Sequence, residues 1–216
     1  MPYTALLQFR WQIHRDRGRY QQALNDVAEG IAIVNSFGDA DAYIWRLYIA
    51  DVRFAMGEPD EAIREAEALL DKLLLDIAAN QSAIHYTYSS LARFHFGAGD
   101  VHAGIAAARE ALLCTRRFQG SDQDLAQVMH IAAVAAAQRG DARVAAKLWV
   151  AVETHFDRIA ARVLRERDHA LVPASIQSLA LGEMDSLRAK GAAESLDAII
   201  NEALDLLSGE GSAYGA

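Results

Sequence analysis

Apolar residues recur at helical spacing in segment after segment of this chain. Between Tyr43 and Met56 they are Ile44, Leu47, Tyr48, Ala50, Val52 and Phe54, which predicts an amphipathic helix. The run stops at Gly57-Glu58-Pro59-Asp60-Glu61-Ala62-Ile63, which reads as a tight corner into a second helix. Glycine enters the left-handed conformation just past a helix end without a Cβ penalty. Pro59 suits the first turn of the next helix, where its missing N–H costs no bond. Asp60 and Glu61 set negative charge at that helix's positive end. Ala62 falls where the two helices of a hairpin come closest, so a small side chain is expected there.

The same grammar appears at Gly18-Arg19-Tyr20-Gln21-Gln22-Ala23-Leu24, at Gly99-Asp100-Val101-His102-Ala103-Gly104-Ile105 and at Gly140-Asp141-Ala142-Arg143-Val144-Ala145-Ala146. Gly18, Gly57, Gly99 and Gly140 are 39, 42 and 41 residues apart. Near-constant spacing marks a repeat array in which each hairpin buries its apolar face against its neighbours.

The pattern resembles the tetratricopeptide repeat (TPR). Ala50, Gly57, Ala62 and Leu69 carry it in one unit, Ala92, Gly99, Gly104 and Ala111 in the next, and Ala133, Gly140, Ala145 and Val152 in the one after. The first unit departs, with Trp11 where a small residue is usual. The standard TPR period is about 34 residues. The longer spacing is similar to the repeats of large bacterial regulators, MalT-like and AfsR-like, many of which carry a LuxR-type DNA-binding domain. Leu148-Trp149-Val150-Ala151-Val152-Glu153, Leu181-Gly182-Glu183, Gly191 and the run Ser195 to Leu204 are similar in order and type to the C-terminal end of those regulators. The family's proline-rich connector is replaced here by Arg162-Val163-Leu164-Arg165-Glu166. The resemblance implies an all-α, right-handed superhelix of antiparallel hairpins, a TPR-like α-solenoid. Residues 1–157 would hold four hairpins, 158–208 capping helices and 209–216 a small, polar, disordered tail, as one continuous domain.

Helices are expected over about 3–17, 19–36, 43–56, 59–79, 83–96, 100–118, 124–139, from 141 onward, and over 195–207. Turns are expected at Ser36 to Asp39, at Asn80-Gln81-Ser82 with Ser82 as a cap, and at Gly120 to Asp124. Pro173 begins or kinks a further helix. Ala132 to Ala137 is almost pure alanine, which predicts close contact on every side.

Composition narrows the function classes. Hydrophobic residues make up 52% of 216, and only three prolines interrupt them, which suits packed helices. No apolar run has the length to cross a membrane, and Met1 to Arg10 lacks the form of a signal peptide. The net charge of −8, without a dense Lys/Arg cluster, argues against direct nucleic-acid binding. Cys114 is the single cysteine, so no internal disulfide forms and a reducing, cytoplasmic setting is expected. The chain has no Walker-type phosphate loop and no H-E-x-x-H or Cys/His cluster. No Ser/His/Asp or Cys/His set has the local context of a nucleophile. No cofactor, no metal and no enzymatic activity are expected. Gly97-Ala98-Gly99 is explained by the corner it sits in rather than as a phosphate loop.

What remains is binding. In TPR arrays the first helix of each hairpin lines the concave surface. Carried over by register, that rule points to Gln8, Gln12 and Arg15, then Asp51, then Tyr86, Ser89 and Arg93, then Gln127 and His130. Leu47, Phe54 and Phe96 share the register but are expected to pack between helices. The occupant would be a protein or peptide partner, or a small effector. A chaperone tail is disfavoured, because these helices hold no lysine and Arg93 is nearly alone. The alternative is a self-association scaffold. Apolar surface around Leu7, Trp11 and Tyr20, left open by an incomplete N-terminal cap, would drive homodimer formation.

Overall fold

The computed structural model of the chain describes residues 2–36, 42–75, 81–118, 122–155, 158–174, 177, 186 and 196–208. Among these residues there are helices and turns but no strand. The helices pair in order: α1 (Pro2–Asp16) with α2 (Tyr20–Ser36), α3 (Ala42–Ala55) with α4 (Pro59–Leu75), α5 (Gln81–Ala98) with α6 (Val101–Phe118), and α7 (Asp122–Gln138) with α8 (Ala142–His155). A shorter helix, α9 (Arg158–Arg167), runs into a 3-10 turn (His169–Leu171), and α10 (Leu196–Ser208) closes the described chain.

Each hairpin turns on its glycine. Gly18, Gly57, Gly99 and Gly140 have φ of 69°, 84°, 83° and 86°, the left-handed region that a side chain would strain. At the second corner the Gly57 amide donates to the Phe54 carbonyl at 3.0 Å and the Glu58 amide to the Arg53 carbonyl at 3.1 Å. The same pair of bonds recurs at the other three corners. It satisfies carbonyls that the ending helix would otherwise leave open. At the last two corners the next residue starts the following helix. Asp100 Oδ1 accepts from the Ala103 amide and Asp141 Oδ1 from the Val144 amide, both at 3.0 Å.

Successive first helices touch across hairpins: α1 with α3, α3 with α5, and α5 with α7. Successive second helices do not approach as closely. The array therefore curves with α1, α3, α5 and α7 on the inside.

Small residues hold the hairpins closed. Ala23, Ala62 and Ala145 are fully buried, and at the equivalent Gly104 a Cβ would lie 2.4 Å from Phe96 Cε1. Ala62→Leu is therefore expected to cost about 1–3 kcal/mol through overpacking, read as a lowered urea midpoint. Ala132 to Ala137 are all buried, which lets neighbouring helices close on α7 from several sides. Two apolar clusters result. Leu7, Trp11, Ala23, Val27, Val34, Trp45 and Val52 form one at the N-terminal end. The larger one runs from Leu47 to Leu207. Gly30 makes room for Trp45, whose Cζ3 lies 2.3 Å from where a Cβ would stand.

Several expectations are corrected. Ser82 lies inside α5 and does not cap it, since neither Gln81 nor Ser82 bars helical backbone. Gly97 continues α5 because the Phe54 ring occupies the space of a Cβ, with Phe54 Cε2 at 2.4 Å. Helix α7 begins at Asp122, two residues earlier than expected. Leu7 and Trp11 are buried against α2 and α3 rather than exposed, and Tyr20 is half-buried. The open apolar stripe lies on the opposite face of α1. The turns expected at Phe37 to Asp39, at Gly120-Ser121 and at Leu181 to Glu183, and the tail 209–216, fall outside the described residues.

Helix α10 packs on α6, α7 and α8. Arg116 donates to Asn201 Oδ1 at 2.8 Å and Arg109 to Ser208 Oγ at 3.2 Å. Lys147 pairs with Glu202, and the Arg139 guanidinium meets the Leu206 carbonyl. Among the described residues no helix is long and apolar enough to cross a membrane.

Candidate functional site

Three of the residues placed by register on the inner face come together, one from each of three inner helices. Arg93 on α5 donates from Nη1 to Asp51 Oδ1 on α3 at 2.9 Å. The same guanidinium donates from Nε to Asp168 Oδ1, also at 2.9 Å. His130 on α7 places Nε2 3.2 Å from Asp168 Oδ2, out of line for a hydrogen bond. Arg167 grips Asp168 with both arms, from Nε to Oδ1 at 2.9 Å and from Nη2 to Oδ2 at 2.7 Å. The rings of Phe54 and Phe94 flank Arg93, with its Cζ 5.6 and 5.7 Å from their centroids.

The cluster is buried. Arg93 is 4% exposed, and Asp168 and His130 are 1% exposed. Buried charges persist only when paired. Burial alone would raise the Asp168 carboxyl, but Arg167, Arg93 and His130 outweigh it and hold the group well below the usual carboxylate range. For Arg93 burial opposes the charge, and the two carboxylates more than restore it. Burial pushes the His130 imidazole down, against the pull of Asp168.

A second polar group lies at the other end of α5. His85 Nε2 is 3.7 Å from Asp124 Oδ1, and burial lowers the His85 imidazole. Burial raises the Tyr86 hydroxyl strongly, and hydrogen-bonded Asp124 adds to the shift. Ser89 is fully buried, with no hydrogen-bond partner for its hydroxyl, and Gln127 is half-buried. Gln8, Gln12 and Arg15 stand apart on α1. Gln8 is exposed and donates to Tyr48 Oη at 2.7 Å. Gln12 is half-buried, and Arg15 lies over the Trp11 ring at 4.9 Å while pairing with Asp16. The nine register positions thus divide into one compact group, Asp51, Arg93 and His130, and two outlying ones. Among the described residues no group of three or more His, Cys, Asp or Glu is placed to hold a metal ion.

Asp168 is the residue the sequence did not reveal as part of this site. It follows a run of arginines and reads as solvated. The available signal was Arg93 itself: a guanidinium between Ala92 and Phe94 at a buried register needs carboxylates, and its own helix offers none.

Acid pH acts on the cluster in one direction. The unfolded chain protonates its histidines near pH 6.5, while buried His85 and His130 resist. Stability is therefore full above about pH 6.5 and falls below it, by at most about 1.4 kcal/mol per pH unit for each histidine. The depressed Asp168 carboxyl adds stability above about pH 4, lost as pH falls through its folded value. Urea midpoints measured from pH 7.5 to 4.5 are expected to fall monotonically, and His130→Gln to flatten the pH 5–6.5 limb.

No protein-family model matches the chain, and no curated protein matches it. Among solved structures the chain is similar to that of a Podosopora anserina protein described as a kinesin light chain with nearly identical TPR-like repeats. The TM-score is 0.52 and the sequence identity 16%, over 90% of this chain and 100% of that one. At that identity the likeness concerns the fold alone: this chain is a TPR-like α-solenoid.

Proposed function

We propose that the chain is a non-catalytic binding module, the TPR-like sensor region of a bacterial signalling or transcription regulator, with a protein, peptide or small effector as its ligand. Residues 1–157 are the recognition array and residues 158–208 its C-terminal cap. The observation that carries this reading is the convergence of Asp51, Arg93 and His130 from three successive inner helices. Single polar side chains thereby become one surface able to grip a charged group. The resemblance of the repeats and of the C-terminal segments to MalT-like and AfsR-like regulators supports the regulatory context. The acidic net charge of −8 leaves nucleic-acid contact to another module. A thermal-shift screen of metabolites and peptides tests the reading, because a ligand that prefers the folded state raises the melting temperature. A selective shift of several degrees, reduced by Asp51→Asn or Gln127→Ala, is expected. No shift across the panel and no partner in a pull-down would count against it.

One observation favours self-association as the second reading. Tyr3, Leu6, Phe9 and Ile13 are 48%, 56%, 66% and 49% exposed and share a face of α1, although its other face is buried. A helix apolar on both faces is normally covered on both. Light scattering decides it. A dimer that becomes monomeric on Leu6→Ser with Phe9→Ser supports the scaffold, and a strict monomer removes it.

A further inference from the structure

Helix α9 and the 3-10 turn after it lie across the inner face, packing on α8, α7 and α5. They are held there mainly by polar contacts. Asp168 enters the cluster, Arg165 pairs with Glu153, and the Gln138 amide meets the Leu171 carbonyl. Apolar packing beneath is incomplete. A cavity of about 60 Å³ lies between His130 and Trp149 on one side and Arg165, Asp168, Val172 and Gln177 on the other. A buried water needs only roughly 10–15 Å³ by the same measure, so this is room for several. A segment built only to cap the array would be expected to fill that space with side chains.

We propose that residues 158–172 form a displaceable strap, an intramolecular ligand whose Asp168 carboxylate occupies a site made by Arg93 and His130, and that the partner of this face is a helical segment tipped by an acidic side chain in the same position. The array is prepared for the exchange. When the strap leaves, Arg93 keeps Asp51 at 2.9 Å and its two phenylalanine neighbours, so opening hydrates the guanidinium without stranding it. Arg167 leaves with the strap, so Asp168 also departs paired. Charge is conserved on both sides, which lets the strap and a competing acidic segment trade places with little net cost in ion pairing. The inference rests on reading the inner face as a recognition surface, but its test needs no natural partner.

The probe is a fluorescent peptide of residues 158–177, titrated by anisotropy against the full chain. The expected result is binding to the Asp168→Asn chain at least tenfold tighter than to the wild type, where the internal strap competes. The same peptide carrying Asp168→Asn should bind the variant chain at least tenfold more weakly. Hydrogen exchange supplies the second measurement, on Gln138→Ala, which removes a tether without uncovering charge. Faster exchange confined to residues 158–172 supports the strap. Equal peptide binding to both chains, no binding to either, or acceleration spread evenly over α3 to α8 would overturn it and leave a fixed structural cap. The ligand screen of the proposed function would stand unaffected.

Discussion

Arg93→Met is expected to lower the stability of the chain by about 3–5 kcal/mol, the cost of removing one partner from a buried ion cluster. The side chains are of similar length, so the cavity term is small and the loss is electrostatic. Without Arg93, Asp51 loses its cation, and Asp168 keeps only Arg167 and the His130 edge in a site 1% exposed. Asp168→Asn in the same background should return part of the loss, because the group left without Arg93 is then neutral. Urea unfolding of the two single variants and the double measures the coupling. A loss under about 1 kcal/mol for Arg93→Met would mean that the cluster is hydrated and that its burial is overstated.

Trp11→Ala is expected to cost about 3–5 kcal/mol, the range for deleting a large buried aromatic side chain. Its ring stacks on Tyr48 with centroids 4.4 Å apart and lies in the N-terminal cluster, which the larger core does not include. In an array whose units contact only their neighbours, such a loss stays local. Amide exchange should therefore accelerate through α1, α2 and the start of α3, while α5 to α8 keep their protection. Uniform acceleration would show that the array unfolds as one unit.

The corners were legible because their requirement is local. A hairpin must reverse direction just past a helix end, and only glycine takes φ near 84° there without strain, so Gly18, Gly57, Gly99 and Gly140 announce themselves. The small residues opposite them, Ala62 and Gly104 among them, follow from the same geometry. What sequence could not give was set by distant partners. The two ends of α5 moved outward because the Phe54 ring, far away in sequence, occupies the place of a Gly97 side chain. The open stripe of α1 was assigned to the wrong face because Leu6, Leu7, Phe9, Trp11 and Ile13 surround the helix, and periodicity alone does not choose between two apolar faces. Register placed Asp51, Arg93 and His130 on one surface. The 75-residue separation between Arg93 and Asp168 hid the group that completes it.

Site-specific photo-crosslinking tests the central claim, that recognition occurs on the inner row of helices. Benzoylphenylalanine is placed at Tyr86 on α5, or at exposed Arg64 on α4, in wild-type and Asp168→Asn chains within cells. One discrete adduct from position 86, strongest in the Asp168→Asn chain and absent from position 64, is the predicted result. Equal labelling from both positions, or none from position 86 in either chain, would contradict it.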